Sequence, residues 1–163
     1  MILKVSLEDI ISKLDLRTLV ATEQPMPDIY VSDLNRPGIE LAGYFNYFAY
    51  DRIQILGKSE IAFLEKLSPQ VREKRIKRLL SYDIPCIVIT RNLISPKGIL
   101  DLAAQYHRIV LSTPVPTTLF MSRLTNFLES ELAPRTMMHG VLVDIYGVGV
   151  LIMGESGIGK SET

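Results

Sequence analysis

Strand-like and helix-like runs alternate along this chain, and that alternation restricts its fold more than any other feature. "IPCIVIT" (84–90) is a continuous apolar run rich in Ile and Val, which is typical of a strand buried on both faces of a sheet. Helical patterns flank it, "SPQVREKRIKRLLS" (68–81) before it and "GILDLAAQYH" (98–107) after it. Because a β-α-β order requires crossover connections, the sequence predicts an α/β fold with a mixed, partly parallel sheet and helices packed on it.

Local signals predict where several elements begin. Ser6, with Asp9 three residues later, is placed to cap a first helix, and Ser68 precedes a proline that suits a first helical turn. Ser95 and Pro96 are predicted to open the helix that runs through "GILDLAAQYH". "RIQILG" (52–57) alternates between apolar and polar residues, which predicts a strand.

The segment "LNRPGIELAGYFNYF" (34–48) has no clean period. It predicts a turn at Arg36–Gly38 followed by an apolar loop packed on the core. Arg36, Tyr44, Phe45 and Tyr47 could line a ligand or partner surface, but a turn tied into the core is the favoured interpretation.

The sequence predicts two domains. An apolar stripe from Phe120 to Leu132 indicates a helix that Pro134 ends. We therefore assign residues 1–132 to an N-terminal α/β domain and residues 133–163 to the start of a second domain. Two β-rich runs joined through Gly147 predict a hairpin there.

Charge and cysteine content exclude several classes of protein. Lys plus Arg and Asp plus Glu number 18 each, so no basic excess is available for a nucleic-acid or anionic-membrane surface. The single cysteine, Cys86, permits no internal disulfide and favours a reducing compartment. Neither a secretory signal nor a membrane-spanning run is recognisable, and a cytoplasmic protein is predicted.

The last residues, "GESGIGKSET", fit the pattern of a glycine, four residues and Gly-Lys-Ser. Glycines let backbone N–H groups wrap closely around phosphates, a lysine supplies a cation to the outer phosphates, and a serine hydroxyl can bind Mg²⁺. A glycine-rich turn without a ligand is the alternative, but the β-branched strand directly before the pattern favours the phosphate-binding interpretation. The predicted nucleotide-binding residues are Gly154, Glu155, Ser156, Gly157, Ile158, Gly159, Lys160 and Ser161.

Other candidate groups have structural interpretations. Cys86 is expected to pack as a small apolar residue, and His107 to be exposed or to cap a helix. "VREKRIKRLL" (71–80) is expected to present charges outside a core stripe rather than to bind anions. His139, at the start of a strand, is more often structural when judged from its position alone.

"MHGVLVDIYGVGVLIMGESGIGKSET" (138–163) resembles the start of the catalytic domain of the HPr kinase/phosphorylase family, and "SDLNRPGIELAGYF", "DRIQILGKSE" and "MSRLTNFLESELAP" resemble its N-terminal domain. This resemblance covers nearly the whole chain. It implies a bacterial enzyme that phosphorylates a regulatory serine of the phosphocarrier protein HPr with ATP or pyrophosphate. It also implies removal of that phosphate by phosphorolysis, in carbon catabolite control.

The resemblance also assigns roles to individual residues. Lys160 and His139 match active-site positions, and Ser161 matches a Mg²⁺ ligand. The acid/base Asp and a second Mg²⁺ carboxylate are implied beyond Thr163, so the chain is interpreted as a fragment without activity of its own. The family implies a hexamer, and an N-terminal domain similar to that of the muramyl peptide ligases.

Two alternatives remain open. The chain could act only as a regulatory or ligand-binding module, or the terminal loop could belong to an unrelated P-loop NTPase.

Overall fold

The computed structural model describes residues 3–134 of the chain. In this part the strands are β1 (Val5–Ser6), β2 (Arg17–Val20), β3 (Asp28–Ile29), β4 (Leu34–Asn35), β5 (Ile53–Leu56), β6 (Ile87–Ile89) and β7 (Val110–Ser112). The helices are α1 (Leu7–Lys13), α2 (Gly38–Leu41), α3 (Lys58–Lys66), α4 (Pro69–Ser81), α5 (Ile99–Gln105) and α6 (Thr117–Leu132).

A five-stranded mixed sheet lies at the centre, in the order β2-β7-β6-β5-β4. Strands β4, β5, β6 and β7 run parallel to one another, with Leu56 beside Ile89 and Ile89 beside Ser112, and β2 runs antiparallel to β7. Strands β1 and β3 form a separate two-stranded antiparallel sheet. The predicted α/β fold with a mixed, partly parallel sheet is confirmed.

Helices cover both faces of this sheet. The larger core contains buried side chains of α2, α3, α4 and α5 together with one face of the central strands. On the other face, α1 and α6 pack on Ile55, Val88 and Leu111. Since the central strands are buried on both sides, their runs are continuously apolar rather than alternating.

Several sequence signals act as predicted. The Ser6 hydroxyl accepts the Asp9 N–H over 3.3 Å, and the Ser68 hydroxyl accepts the Val71 N–H over 3.3 Å. Helix α6 buries Phe120, Leu124 and Leu128 on its predicted stripe. These caps satisfy N–H groups that a helix cannot bond internally, which explains why the helices begin there.

Two local predictions were wrong, and a third element differs from its pattern only in burial. Residues 34–48 are not only a turn and a loop, since they contain β4 and the four-residue helix α2. Helix α5 begins at Ile99 rather than at Ser95–Pro96, because Gly98 adopts a left-handed φ of 91° directly before it. The strand predicted from "RIQILG" is confirmed as β5, and it is buried throughout because its polar member, Gln54, bonds to main-chain carbonyls.

Candidate functional site

The residues that the sequence predicts for nucleotide binding and catalysis lie outside the described part of the chain. This applies to His139, to Gly154–Ser161 and to the predicted hairpin. Their roles therefore stay predictions. The predicted boundary between residues 132 and 133 also stays a prediction.

Within the described part, polar side chains meet where the parallel strands end. We call this side of the five-stranded sheet, where β4 to β7 end and β2 begins, the carboxyl edge, and the opposite side the amino edge. Arg36, Gly57, Thr90 and Thr113 directly follow β4, β5, β6 and β7. Ligands of open α/β sheets generally bind outside the carboxyl ends of the strands. The carboxyl edge is therefore the candidate site of this part of the chain.

Arg36 is held at this edge by the carboxylate of Glu60, in the first turn of α3. Its Nε donates to Oε2 over 3.1 Å, and its Nη2 donates to Oε1 over 2.8 Å. The Gly57 N–H also donates to Oε1, over 2.8 Å. Glu60 is only 7% exposed, so these three N–H groups replace the water that its charge would otherwise need. One side of the guanidinium is thereby fixed, and its Nη1 has no hydrogen-bond partner in the described part.

Gly57 allows Arg36 and α6 to approach the end of β5. A Cβ atom at this position would lie 2.6 Å from Arg36 Nη2 and 2.8 Å from Thr117 Oγ1. Both separations are shorter than van der Waals contact. The backbone of Gly57, with φ of −105°, would suit any residue. The requirement for glycine therefore comes from the close approach of these side chains and not from the backbone conformation.

Buried threonines fix the start of α6 at the same edge. Thr90 Oγ1 lies 2.6 Å from Thr117 Oγ1 and 3.4 Å from the Leu56 carbonyl oxygen. If Thr90 donates to that carbonyl, Thr117 donates to Thr90, and both hydroxyls are satisfied. These bonds connect the ends of β5 and β6 to α6.

The turn after β6 has a constrained backbone. Arg91 and Asn92 adopt left-handed φ values of 60° and 52°. The Arg91 N–H donates to the Val115 carbonyl over 3.1 Å, and the Asn92 N–H donates to the Thr113 carbonyl over 2.9 Å. The exposed Arg91 side chain therefore starts from a fixed position at the carboxyl edge.

Of the edge residues, sequence reasoning singled out only Arg36. A glycine after "RIQIL" and a threonine after "IPCIVI" were the available signals, and both gain meaning only once the strand ends are aligned. The aromatic residues near Arg36 divide into two groups. Phe45 is buried and stacks on Tyr82 with ring centroids 5.6 Å apart, as a core turn requires, whereas Tyr44 and Tyr47 are 53% and 99% exposed.

A second concave feature is a cavity of about 460 Å³ between α4 and α5. Ile76 and Ile99 line it, with Arg72, Glu73, Lys97 and Asp101 among its charged residues. Arg72 donates to the Leu64 carbonyl and Glu73 pairs with Lys77. These charges balance one another, so the cavity indicates no particular ligand charge.

The other groups considered from the sequence behave structurally. Cys86 is fully buried, and burial raises the pKa of its thiol to about 12, so it is no nucleophile at neutral pH. His107 is exposed, as predicted. The basic helix α4 buries Ile76, Leu79 and Leu80 beneath its charges, which confirms the core-stripe interpretation.

Residues 3–134 show neither a metal-binding cluster nor a membrane-spanning helix. No cluster of three or more His, Cys, Asp or Glu side chains there could hold a metal ion. Among the helices described, none has the length and apolar character needed to cross a bilayer.

Comparison with known families matches nearly the whole chain. Residues 5–128 match the family described as HPr Serine kinase N terminus, and residues 130–163 match the HPr Serine kinase C-terminal domain. The chain belongs to the HPr serine kinase family.

Curated relatives give the same result. The chain is 48% identical over 161 residues to the HPr kinase/phosphorylase of Clostridium acetobutylicum, covering 99% of this chain and 53% of the relative. It is 49% identical over 159 residues to the HPr kinase/phosphorylase of Alkaliphilus metalliredigens, covering 98% of this chain and 52% of the relative. The chain thus spans about half the length of these relatives.

A solved structure shares the fold. The CBS and DRTGG domains of the regulatory region of Clostridium perfringens pyrophosphatase, complexed with the activator diadenosine tetraphosphate, align with a TM-score of 0.54 at 16% identity. The alignment covers 98% of this chain and 60% of that one. At this identity the likeness concerns the fold alone. The similarity to muramyl peptide ligases stays a prediction.

Proposed function

We propose that a protein with this sequence and the full length of its relatives transfers the γ-phosphoryl group of ATP to a serine of HPr. The serine oxygen forms the new bond to phosphorus, ADP leaves, and the serine proton passes to a base. In the reverse reaction inorganic phosphate takes the phosphoryl group from phosphoserine, which yields pyrophosphate and restores the serine hydroxyl. The observation that carries this proposal is the match of both family domains over residues 5–128 and 130–163.

The terminal loop supplies the groups that this chemistry needs. We assign the backbone N–H groups of Gly154–Ser161 to the phosphates of ATP or pyrophosphate, and Lys160 to the charge on the transferring phosphoryl group. Ser161 offers a hydroxyl oxygen of the kind that Mg²⁺ binds. His139 is assigned to the active site by the resemblance, which places the acid/base Asp and the second Mg²⁺ carboxylate beyond Thr163.

The setting of this activity follows from the same resemblance. We propose that the longer protein assembles as a hexamer, acts in the cytoplasm and serves carbon catabolite control. We propose that the 163-residue chain alone transfers no phosphate, because the resemblance implies that the acid/base Asp follows Thr163.

The assignment of Lys160 is tested in a protein of the relatives' full length. We expect Lys160→Ala to lower the rates of both HPr phosphorylation and phosphorolysis by roughly 10²-fold or more, because the same charge is stabilised in both directions. Lys74→Ala, on the exposed side of α4, is the control and should leave both rates unchanged. A folded Lys160→Ala protein with a normal rate in either direction would contradict the proposed role.

A further inference from the structure

Charged side chains are sorted between the two edges of the five-stranded sheet. Equal numbers of acidic and basic residues in the whole chain would allow an even distribution. In the described part, the carboxyl edge instead carries more cations and the amino edge more carboxylates. Charged groups at the carboxyl edge, counted through the first turn of each helix that follows a strand, are Arg17, Arg36, Lys58, Arg91, Lys97, Asp15, Glu40, Glu60 and Asp101. Those at the amino edge are Arg52, Arg108, Glu23, Asp33, Asp51 and Asp83.

The cations at the carboxyl edge are largely without partners. Arg17, Lys58 and Arg91 are exposed and form no ion pair or side-chain hydrogen bond within residues 3–134. Arg36 engages Glu60 through Nε and Nη2, which leaves Nη1 available. At the amino edge, by contrast, Arg108 lies 3.3 Å from Asp83 and Arg52 lies 3.9 Å from Asp33. Arg17, Lys58 and Arg91 therefore carry positive charge at the carboxyl edge that no ion pair within residues 3–134 neutralises.

The spacing of these cations suits a small ligand. Arg36, Lys58 and Arg91 follow three adjacent strands, β4, β5 and β6. Neighbouring strands lie about 4.8 Å apart, so the three positions span roughly 10 Å. Long side chains can converge over that distance on one molecule with several charged groups. Arg17 lies two strands from Arg91, on the edge strand β2 at the far side of the sheet from Arg36.

Two of the cations start from fixed positions. The Glu60 carboxylate and Gly57 hold the Arg36 guanidinium, and the Arg91 backbone is pinned to residues 113–115. Fixed cations lose less freedom when they bind an anion than mobile ones do. This arrangement distinguishes the edge from an ordinary solvated basic surface.

We propose that the carboxyl edge is a binding site for a small polyanion, a molecule with at least three negative charges on phosphoryl or carboxylate groups. Arg36, Lys58 and Arg91 contact these groups, and Arg17 adds long-range attraction. Such a ligand bridges the ends of β4, β5 and β6 beside the first turn of α6, so its binding stabilises that arrangement. The site consists of residues within 3–134 and does not rest on the proposed kinase function.

The test is a calorimetric titration of the 163-residue chain with tripolyphosphate and with citrate, at low ionic strength. The chain carries Lys160→Ala, so that binding at the terminal loop is suppressed. We expect at least one probe to bind, and to bind more weakly as salt is added. The probe that binds better identifies the ligand's charged groups as phosphoryl or carboxylate. Failure of both probes to bind at millimolar concentration would overturn the proposal.

Matched neutralisations locate the site. Lys58→Gln with Arg91→Asn should weaken binding at least about tenfold, since each removed cation is worth on the order of a few-fold to tenfold. Asparagine suits the left-handed backbone at position 91. Lys66→Gln with Lys74→Gln removes the same charge from exposed positions on α3 and α4, and should change affinity less than about twofold. Equal weakening by both pairs would overturn the proposal. If the Lys58→Gln, Arg91→Asn variant does not fold, the affinity of Lys58→Gln alone is compared with that of Lys74→Gln. Equal weakening by these two substitutions would again overturn the proposal.

Discussion

The two edges of the five-stranded sheet both carry arginine–carboxylate pairs, yet only one pair has a buried carboxylate. At the carboxyl edge, the Glu60 side chain is 8% exposed beside Arg36. At the amino edge, the Asp83 side chain is 92% exposed beside Arg108. Exposed pairs contribute little to stability, whereas a buried carboxylate that loses its partners is strongly destabilising. The same pairing chemistry is therefore structural at one edge and nearly neutral at the other.

The amino edge is organised by the buried Gln54 amide and by Arg108, whose Nε donates to the Leu80 carbonyl over 2.9 Å. The buried Gln54 amide donates to the carbonyls of Ala49 and Arg52 over 3.0 and 2.8 Å, and it accepts from Asn35 Nδ2 over 2.7 Å. These bonds join the loop before β5 to β4 without burying a charge. At the carboxyl edge, the buried Glu60 carboxylate binds one side of Arg36. At the amino edge, the buried Gln54 amide has all its hydrogen bonds to neutral groups.

The reactivity of Cys86, at the amino end of β6, provides the largest expected effect. Its pKa is raised by burial from 9.0 to about 12. At pH 9 the folded protein should therefore remain almost wholly in the thiol form, whereas about half of the unfolded chains carry the thiolate, because the unfolded pKa is 9.0. A thiol reagent should label denatured protein at least 10²-fold faster than native protein. Labelling of native protein at the rate of an exposed thiol would mean that the amino edge opens readily.

The same thiol gives stability a pH dependence with a defined sign. The unfolded thiol loses its proton near pH 9, whereas the folded one retains it to about pH 12. The contribution of the buried thiol to the free energy of unfolding is therefore complete below pH 9 and is lost as the pH rises from about 9 to about 12. Urea midpoints measured at pH 8 and pH 10 test this, with Cys86→Ala as the control that should remove the cysteine-dependent part of the difference.

Removing one carboxylate charge at each edge tests the comparison directly. Glu60→Gln places an amide group among the three N–H donors that now reach the carboxylate, so we expect a loss of about 2 kcal/mol in the free energy of unfolding. Asp83→Asn changes an exposed pair and should cost less than about 1 kcal/mol. Urea unfolding of both variants measures the two values. Equal losses would show that burial does not distinguish the edges.

The sequence allowed the strands and helices to be predicted better than the edge. Strand β6 and helix α4 carry their signals within a few consecutive residues, as continuous apolar character, a cap and a proline. Helix α2 has only four residues, too few to show a period. The contacts among Arg36, Gly57 and Thr117 join positions far apart in the chain and depend on strand order and register. The terminal pattern that predicts a phosphate-binding loop is also contiguous, and its role stays a prediction.

Alanine substitutions at Gly57 and Gly38 compare a crowded glycine position with an open one. Gly57→Ala would place a methyl group against Arg36 and Thr117, and overpacking of this kind costs about 1–2 kcal/mol. Gly38→Ala, in α2, has no atom within 4 Å of the added Cβ, and should be neutral or slightly stabilising. Urea unfolding of both variants measures the two changes in the free energy of unfolding. A tolerated Gly57→Ala would show that Arg36 is not held against this residue.

The smallest expected effect concerns a feature that the two edges share. Arg91 at the carboxyl edge and His107 at the amino edge adopt left-handed φ values of 60° and 58°. Both side chains are exposed, so a glycine at either position should relieve backbone strain without removing a stabilising contact. We expect Arg91→Gly and His107→Gly each to raise the free energy of unfolding by about 0.5 kcal/mol, relief being offset by the greater freedom of glycine in the unfolded chain. Thermal unfolding without added anion measures both. A loss for Arg91→Gly alone would mean that its side chain already makes contacts in the free protein, and that the cation is not available to a ligand. Similar gains at both positions would leave the edges distinguished by their charges rather than by their backbones.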